Sequence, residues 1–229
     1  EPVPRRTAIP RYRFLGHTRK FARFARSNMS DKIFMTSPDQ TPQQLRANRG
    51  FISSWIGLAV LRVLGWRIEG KIPDVKRFIL IGAPHTSNWD FVLAMASILT
   101  IDLKMRWLMK HTAFKPYISW LFHWLGGIPT NRKEPKVIVR NVERIANEEE
   151  GIVIGITPEG TRKKVEKWKT GFLRLAMNLE CPILMVGLMY PTKRVFLGEL
   201  FHPTGDNEAD LAAIRAYYTQ FQGKHPDQF

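Results

Sequence analysis

The chain has 229 residues, with 35 Lys and Arg against 20 Asp and Glu, which gives a formal net charge of +15 at pH 7. This length favours one domain with a substantial buried core, and the excess of cations indicates anionic partners such as nucleic acid, phosphorylated substrates or an acidic membrane surface. The single cysteine, Cys181, excludes an internal disulfide and fits a reducing compartment, and no apolar run approaches the ~18 residues of a transmembrane helix.

Residues 1–44 are predicted to be a basic N-terminal arm and a linker that precede the main domain, residues 45–229. Residues 1–26 carry seven Arg and one Lys against one Glu, and residues 11–26 interleave aromatic side chains with these cations. Such a segment can lie on an anionic bilayer, bind nucleic acid, act as a targeting peptide or remain a solvated tail. Residues 30–44 are polar and contain Pro38 and Pro42, which is typical of a linker.

Two apolar helices are predicted, over residues 45–65 and 114–125. The first is apolar on most faces, but residues 52–64 would extend only about 20 Å, which is too short to cross a bilayer. It therefore lies either on a membrane or in the core. The second is rich in aromatic residues and could likewise contact lipid or an acyl chain, although such residues are more often buried in a core.

The other predicted elements alternate between strands and helices. Strands are expected over residues 66–69, 78–81, 105–109, 151–156, 183–188 and 195–200, and further helices from residue 88 and over residues 135–150, 172–178 and 210–221. This alternation predicts a single α/β domain with a mixed, largely parallel sheet flanked by helices.

His85 and Asp90 form the first candidate catalytic pair. His85 follows the apolar run that ends at Ile81, and Asp90 lies in the first turn of the helix predicted from residue 88. A spacing of five residues at a tight turn lets the carboxylate reach Nδ1 of the imidazole, which leaves Nε2 free to take a proton. The alternative is that Asp90 only stabilises the helix N-terminus and that His85 is an ordinary loop residue.

Other kinds of site find little support in the sequence. There is no second cluster of His or Cys at metal-ligand spacing, no serine nucleophile elbow, no Walker loop and no dinucleotide fingerprint. Cys181 precedes Pro182 at the start of a buried strand and is expected to be inert. His111 and His123 are interpreted as structural, since neither has a carboxylate at a convincing spacing.

A second group of residues follows the strand predicted over residues 151–156. It consists of Pro158, Glu159, Gly160, Thr161 and Arg162, and a lysine-rich segment around Trp168, interpreted as a mobile cationic flap, comes next. Together with the H-x-x-x-x-D pattern of His85 and Asp90, the sequence P-E-G-T-R resembles the glycerolipid acyltransferases, in particular the lysophosphatidate acyltransferases. Three further blocks match that family in order, namely residues 126–132, 169–172 and 181–183.

The resemblance implies a reaction and a role for each matching residue. His85, held by Asp90, would take the proton of a lysophospholipid hydroxyl as it attacks an acyl thioester, with either acyl-coenzyme A or acyl carrier protein as co-substrate and no other cofactor. Arg132 and Arg162 would bind the phosphate of the acceptor, and Lys169 is a weaker candidate for the same role. Glu159 would orient Arg162 or accept a hydrogen bond from the glycerol, while Gly160, next to Thr161, would let the backbone approach the substrate.

The sequence departs from the family pattern at two positions. Met185 stands where a second proline is usual in the last block, and the small polar Thr157 precedes Pro158 where a bulky apolar residue is usual. Neither departure affects the His-Asp pair, but both leave the acceptor open. A lyso-aminolipid or another lysophospholipid is an alternative acceptor, and a non-enzymatic protein that binds membranes or nucleic acid is the alternative from another class.

The resemblance and the charge together predict where the protein acts. Its acceptor and product would be lipids and its donor would be water-soluble, so a monotopic enzyme on the cytoplasmic face of an anionic membrane is expected. Residues 11–26 and the apolar helix would make the attachment. Nucleic acid is not the expected partner.

Overall fold

The computed structural model describes residues 33–131 and 134–229. The basic segment of residues 11–26, residues 30–32 of the predicted linker and Arg132 lie outside the described residues. The expectations for these positions therefore remain predictions.

Eight strands form one sheet in the described part of the chain, in the spatial order β1-β2-β8-β7-β3-β6-β4-β5. The strands are β1 Phe34–Met35, β2 Arg67–Gly70, β3 Arg77–Ala83, β4 Met105–Lys110, β5 Gly127–Thr130, β6 Ile152–Ile156, β7 Ile183–Met189 and β8 Arg194–Phe201. The five strands from β7 to β5 run parallel to one another. Strand β8 is antiparallel to β7 and parallel to β2, and β1 is antiparallel to β2.

Six α-helices accompany the strands in the described ranges. They are α1 Phe51–Leu64, α2 Trp89–Thr100, α3 Pro116–Trp124, α4 Pro135–Glu148, α5 Gly171–Asn178 and α6 Asn207–Tyr218. Helices α2, α3, α4 and α5 each connect two strands that run parallel, as crossover connections in a parallel sheet require. The predicted α/β fold, with a mixed, largely parallel sheet flanked by helices, is confirmed.

The central strands are buried on both faces. On β3, Phe78 packs with residues of α1 and α2, whereas Ile79 and Ile81 pack on the opposite face with residues of α4, α5 and α6. Successive side chains of a strand point to opposite faces, so a strand covered on both sides is apolar throughout. This explains why the central strands could be recognised as continuous apolar runs.

Helix α1 packs closely on α2. A Cβ atom at Gly57 would lie 2.6 Å from the main-chain oxygen of Ala96 and 2.6 Å from the nitrogen of Thr100, so glycine lets the two helix backbones approach each other. Much of the opposite side of α1 remains open to solvent. Exposed fractions reach 81% for Phe51 and 60% for Trp55.

Helix α3 also exposes large apolar side chains, with 80% of Tyr117 and 68% of Trp120 accessible to solvent. It lies against the same α2, because Phe122 contacts Phe91 with their ring centroids 6.0 Å apart. Arg49, just before α1, lies over the ring of Trp124 at 5.8 Å. None of the helices in the described residues has the length and apolar character that crossing a bilayer requires.

Residues 33–44, which were predicted to belong to a linker, pack against the main domain in the structure. Met35 pairs with Ile68 in the sheet and is only 2% exposed, and the hydroxyl of Thr41 donates to the main-chain oxygen of Ile101 at 2.7 Å. The compact unit accordingly starts at Ile33. These contacts could not be predicted from the sequence, because a two-residue edge strand and two short 3₁₀ helices are too short to show a periodic pattern of apolar residues.

The first apolar helix starts later than its sequence predicts. The carboxylate of Asp102 accepts hydrogen bonds from the main-chain nitrogens of Asn48 (2.8 Å) and Arg49 (3.2 Å). Gly50 follows with a φ of 88°. These contacts hold the preceding residues in a non-helical conformation, and α1 begins at Phe51.

Candidate active site

His85 lies on the turn between β3 and α2, at the carboxyl edge of the parallel sheet. Strand β3 ends at Ala83, the peptide bond between Ala83 and Pro84 is cis, and α2 starts at Trp89. Asp90 is in the first helical turn, as predicted. Ligands of open α/β sheets bind at this edge of the strands, so the turn is well placed for a substrate.

The carboxylate of Asp90 contacts both the His85 ring and the main chain of the turn. Its Oδ2 atom lies 3.2 Å from Nδ1 of His85 and accepts hydrogen bonds from the nitrogens of Thr86 (2.7 Å) and Ser87 (2.8 Å). The side chain of Asp90 is 3% exposed and that of His85 is 22% exposed. With its proton on Nδ1, His85 directs an unprotonated Nε2 away from Asp90.

Asp90 remains charged despite its burial. Desolvation disfavours the ionised form, but hydrogen bonds from His85, Tyr190 and Ser87 outweigh it, so the pKa of Asp90 lies below its ordinary value. A carboxylate that stays ionised near neutral pH keeps its partner imidazole in one tautomer and one orientation.

Glu159 approaches the same turn from β6, the neighbouring parallel strand. Its two carboxylate oxygens accept the main-chain N–H of His85 at 3.0 and 3.1 Å, so its hydrogen bonds go to the turn that carries His85 rather than to the predicted partner Arg162. Glu159 is 6% exposed. The pKa of Glu159 is raised to about 7, mainly by burial. The hydrogen bond from the His85 N–H lowers this pKa, and the charge of Asp90 raises it.

The P-E-G-T-R segment forms a tight turn closed by Lys169. The nitrogen of Gly160 donates to the oxygen of Thr157 at 3.1 Å, and the nitrogen of Lys169 donates to the oxygen of Pro158 at 3.0 Å. Gly160 has a φ of 65°, and a Cβ atom there would lie 3.3 Å from the side chain of Lys169. The turn therefore brings Lys169 against Gly160, with Thr161 half-buried and Arg162 exposed beside them.

Trp168 anchors the segment that was interpreted as a mobile flap. Its side chain is 7% exposed, and its ring centroid lies 5.6 Å from that of Tyr218 and 6.0 Å from that of Phe229. The side chain of Arg215 also donates to the main-chain oxygen of Glu166 at 3.1 Å. The lysines of this segment are thus attached to the domain through a core tryptophan.

The remaining candidates have surroundings of their own. His111 contacts the main-chain oxygen of Thr130 at 3.3 Å through Nδ1, and the ring of His123 lies 5.0 Å from that of Phe114. Cys181 is buried, which raises the pKa of its thiol to about 11. Within the described residues, no group of three or more His, Cys, Asp and Glu side chains could hold a metal ion.

Sequence reasoning missed Tyr190, which follows β7 and contacts Asp90. Its hydroxyl donates to Oδ1 of Asp90 at 2.5 Å. Burial and the charge of Asp90 raise the pKa of Tyr190, so this hydroxyl remains a donor. The residue directly follows a parallel strand at the same edge of the sheet as His85 and Glu159, and that position is the signal that could have identified it.

Sequence reasoning also assigned no role to the segment after α6, which contacts the loop that carries His85 and the loop that carries Arg162. The nitrogen of His225 donates to Oγ1 of Thr86 at 3.2 Å. With its amide nitrogen turned toward them, Gln228 donates to the main-chain oxygens of Thr86 (3.2 Å) and Arg162 (2.7 Å). The Lys224 ammonium lies 5.2 Å from the centre of the Trp89 ring. This segment connects the turn of His85 with that of Arg162.

Comparison with known proteins identifies the family. The family model described as Acyltransferase matches residues 66–189, more than half of the chain, and this range includes the His85, Glu159 and Lys169 segments. The chain belongs to the acyltransferase family. The predicted resemblance is confirmed, and the choice between an enzyme and a non-enzymatic basic binding protein is decided in favour of an acyltransferase.

The fold of this acyltransferase is similar to that of a solved structure. It is the 1-acyl-sn-glycerophosphate (LPA) acyltransferase PlsC from Thermotoga maritima, with a TM-score of 0.52 and 18% sequence identity over 76% of this chain and 80% of that chain. At this identity the likeness concerns the fold. No curated protein matches the sequence.

The environment of Glu159 predicts a pH-dependent stability difference. The folded pKa is about 7 against an ordinary 4.5, so the folded protein retains a proton that the unfolded chain releases. This contribution is fully present below the ordinary pKa and is lost as pH rises through the folded pKa. Relative to Glu159→Gln, the wild type should lose up to about 3 kcal/mol of unfolding free energy between about pH 4 and pH 8.

Urea unfolding of both proteins across this pH range measures the difference. The exposed Glu208→Gln, on α6, serves as the control and should give a difference that varies little with pH. A Glu159→Gln difference that stayed constant from pH 4 to pH 8 would contradict the raised pKa.

Proposed function

We propose that this enzyme transfers a fatty acyl group from an acyl thioester to the free hydroxyl of a lysophospholipid, with lysophosphatidate as the first candidate acceptor. The observation that carries the proposal is the contact between Nδ1 of His85 and the buried carboxylate of Asp90, at 3.2 Å. Family membership and the shared fold of an enzyme named for 1-acyl-sn-glycerophosphate support the choice of acceptor. A lyso-aminolipid or another lysophospholipid is the alternative acceptor.

His85 acts as the general base in this mechanism. Its Nε2 takes the proton of the acceptor hydroxyl as the oxygen attacks the thioester carbonyl carbon. The tetrahedral intermediate then collapses, the carbon–sulfur bond breaks, and the leaving thiolate receives the proton from the imidazolium. The acyl group thus passes directly between substrates, and His85 returns to its neutral form.

Asp90 and Glu159 assist the base in different ways. Asp90 stabilises the imidazolium that forms during the reaction, because its carboxylate is charged and in contact with Nδ1. Glu159 holds the main chain at His85 through its two hydrogen bonds. Both contacts fix the position of the ring before the substrate binds, which is a major source of catalytic advantage.

The P-E-G-T-R turn supplies cations for the phosphate of the acceptor. Arg162 is exposed at the edge of the sheet, and Lys169 is held against Gly160 on the same turn. A guanidinium offers paired donors that suit phosphate oxygens, and an ammonium adds a compact charge. We assign Arg132 to the same phosphate on the family resemblance alone, and Thr161 to the wall of this subsite.

The donor is acyl-coenzyme A or acyl carrier protein, and the proposed chemistry draws on no other cofactor. Both donors carry the acyl group as a thioester, so the same base serves either. Acyl transfer from each donor to a panel of lyso-acceptors, differing in headgroup, tests the substrate assignment directly. Transfer to a lyso-aminolipid but not to lysophosphatidate would reassign the acceptor.

The apolar faces of α1 and α3 support a position on the membrane surface. Both helices pack on α2, the helix that carries Asp90, and both expose aromatic side chains. Trp and Tyr favour the interface between water and lipid. A lipid acceptor held there would lie near the base, so we propose a monotopic enzyme on the cytoplasmic face of an anionic membrane, with residues 11–26 adding charge attraction.

The base assignment predicts that His85→Ala loses acyl transfer while retaining the fold. General-base assistance is typically worth about 10²–10⁴ in rate, so kcat/KM should fall by at least this much. Asp90→Asn should be nearly as inactive, because the amide cannot stabilise the imidazolium. Steady-state kinetics and thermal unfolding measure activity and fold separately.

His202→Ala is the matched control for this experiment. His202 is exposed and follows the end of β8 that pairs with the start of β7, at the opposite edge of the sheet from His85. It should retain wild-type activity. Full activity in a folded His85→Ala protein would refute the mechanism.

The phosphate assignment predicts that Arg162→Ala weakens acceptor binding selectively. Loss of a charged hydrogen bond costs about 1.5–3 kcal/mol, which corresponds to an increase in the acceptor KM of roughly tenfold to one-hundredfold. The donor KM should change little. The exposed Arg174→Ala, on α5, provides a control of equal charge, and equal increases in the two Michaelis constants of Arg162→Ala would reject the assignment.

The membrane assignment predicts two separable effects on vesicle binding. Deletion of residues 1–32 should weaken binding to anionic vesicles at low salt, since each basic residue near the surface contributes about 1 kcal/mol. The double substitution Trp55→Ser and Trp120→Ser should reduce the binding that resists high salt. Sedimentation with anionic vesicles measures both.

Met177→Ser tests whether any exposed apolar residue has the same effect. Met177 lies on α5, on the other face of the sheet, and is 40% exposed. This variant should bind like the wild type. A wild type that stays entirely in the supernatant at low and high salt would defeat the membrane assignment, though not the acyl transfer reaction.

A further inference from the structure

Tyr190 is held in place by three contacts from different parts of the fold. Its ring meets Trp66 edge-on, with the centroids 4.8 Å apart and the planes at 82°. Its main-chain nitrogen donates to the oxygen of Gln222 at 3.0 Å. Its hydroxyl donates to Oδ1 of Asp90 at 2.5 Å. A side chain fixed at the ring and the backbone can present its hydroxyl in one direction.

The two oxygens of Asp90 serve different groups. Oδ2 lies 3.2 Å from Nδ1 of His85 and also accepts the two main-chain donors of the turn. Oδ1 accepts the Tyr190 hydroxyl. Because the negative charge is shared between the two oxygens, a strong donor on Oδ1 reduces the charge available to the imidazole on Oδ2.

We propose that Tyr190 is a positioning residue that tunes His85 through Asp90. Its hydroxyl withdraws charge from the carboxylate and thereby limits how strongly Asp90 favours the protonated form of the imidazole. His85 then spends more of its time as the neutral base that can accept a proton from a substrate hydroxyl. The inference rests on the proposed role of His85 as the base.

Other charged groups face the same turn and have to be separated from this effect. Glu159, which follows β6, accepts the main-chain N–H of His85, and with a pKa of about 7 it changes its charge near neutral pH. The segment after α6 brings the main chain of His225 to Thr86 and the ammonium of Lys224 to Trp89. The comparison of variants is therefore repeated in a Glu159→Gln background, which removes the second group that titrates beside His85.

The experiment follows the titration of His85 itself in the full chain. NMR with isotope-labelled histidine resolves the imidazole signals, and the His85 signal is identified by its loss in His85→Gln. Tyr190→Phe keeps the ring on Trp66 but removes the hydroxyl, so the titration midpoint of His85 should rise by about 0.5 to 1 pH unit, in the wild-type and the Glu159→Gln backgrounds alike. Tyr190→Leu also lacks the hydroxyl and serves as the second variant if the first does not fold.

Tyr217→Phe is the matched control. The hydroxyl of Tyr217 lies 3.5 Å from the main-chain oxygen of Met185, and its ring packs on Tyr218 and Phe221. Its removal should leave the His85 midpoint unchanged. If the role of Tyr190 were purely structural, Tyr190→Phe would also leave the His85 midpoint unchanged. An unchanged or lowered His85 midpoint in Tyr190→Phe therefore overturns the proposal.

Kinetics provide the second readout. The acidic limb of the kcat/KM profile should move to higher pH in Tyr190→Phe by the same amount as the NMR midpoint, with little loss on the alkaline side. A uniform loss at every pH, with an unmoved limb, would overturn the proposal. The NMR titration does not depend on turnover, so it tests the coupling between Tyr190 and His85 independently of the proposed function. An active His85→Ala enzyme would refute the assignment of His85 as the base, whereas an unmoved His85 midpoint in Tyr190→Phe would refute the coupling.

Discussion

The buried charge of Asp90 is the constraint on which the rest of the site depends. A carboxylate that is 3% exposed is stable only if hydrogen-bond donors replace the water it has lost. Two of these donors are main-chain groups of the turn that carries His85, and another comes from Tyr190 after β7. Satisfying this one charge therefore fixes the conformation of the turn, the orientation of the imidazole and the position of a neighbouring strand end.

The edge of the sheet and its two faces carry different parts of the protein. The carboxyl ends of β3, β6 and β7 bring His85, Glu159 and Tyr190 together, although each belongs to a separate segment. One face carries α4, α5 and α6, which bury their apolar sides. The other carries α1 to α3, whose outer sides remain apolar and exposed. The proposed chemistry at the edge and the proposed contact with lipid on one face thus involve different residues of the same sheet and its helices.

Much of the fold and part of the site could be predicted from the sequence. Central strands such as β3 are buried on both faces and stand out as apolar runs, and the five-residue spacing of His85 and Asp90 at a strand-to-helix turn gave the right contact. What escaped prediction depends on long-range partners. Residues 33–44 look like a linker because their contacts are with distant main-chain atoms. Glu159 pairs with a main-chain N–H and not with a side chain, and Tyr190 belongs to no recognisable local pattern.

The wide separation of these partners along the chain has a consequence for folding. Hydrogen bonds of the site join residues 74 positions apart for His85 and Glu159, 100 for Asp90 and Tyr190, and 139 for Thr86 and His225. Such contacts close long loops. They form slowly because the chain loses the entropy of loop closure before the new contacts stabilise it. During synthesis from the N-terminus, a chain completed only through the P-E-G-T-R turn already contains His85, Asp90 and Glu159 but lacks Tyr190 and the segment that connects Thr86 with Arg162. The proposed catalytic geometry thus forms only after β7 joins the sheet and the residues after α6 pack against the loops of Thr86 and Arg162.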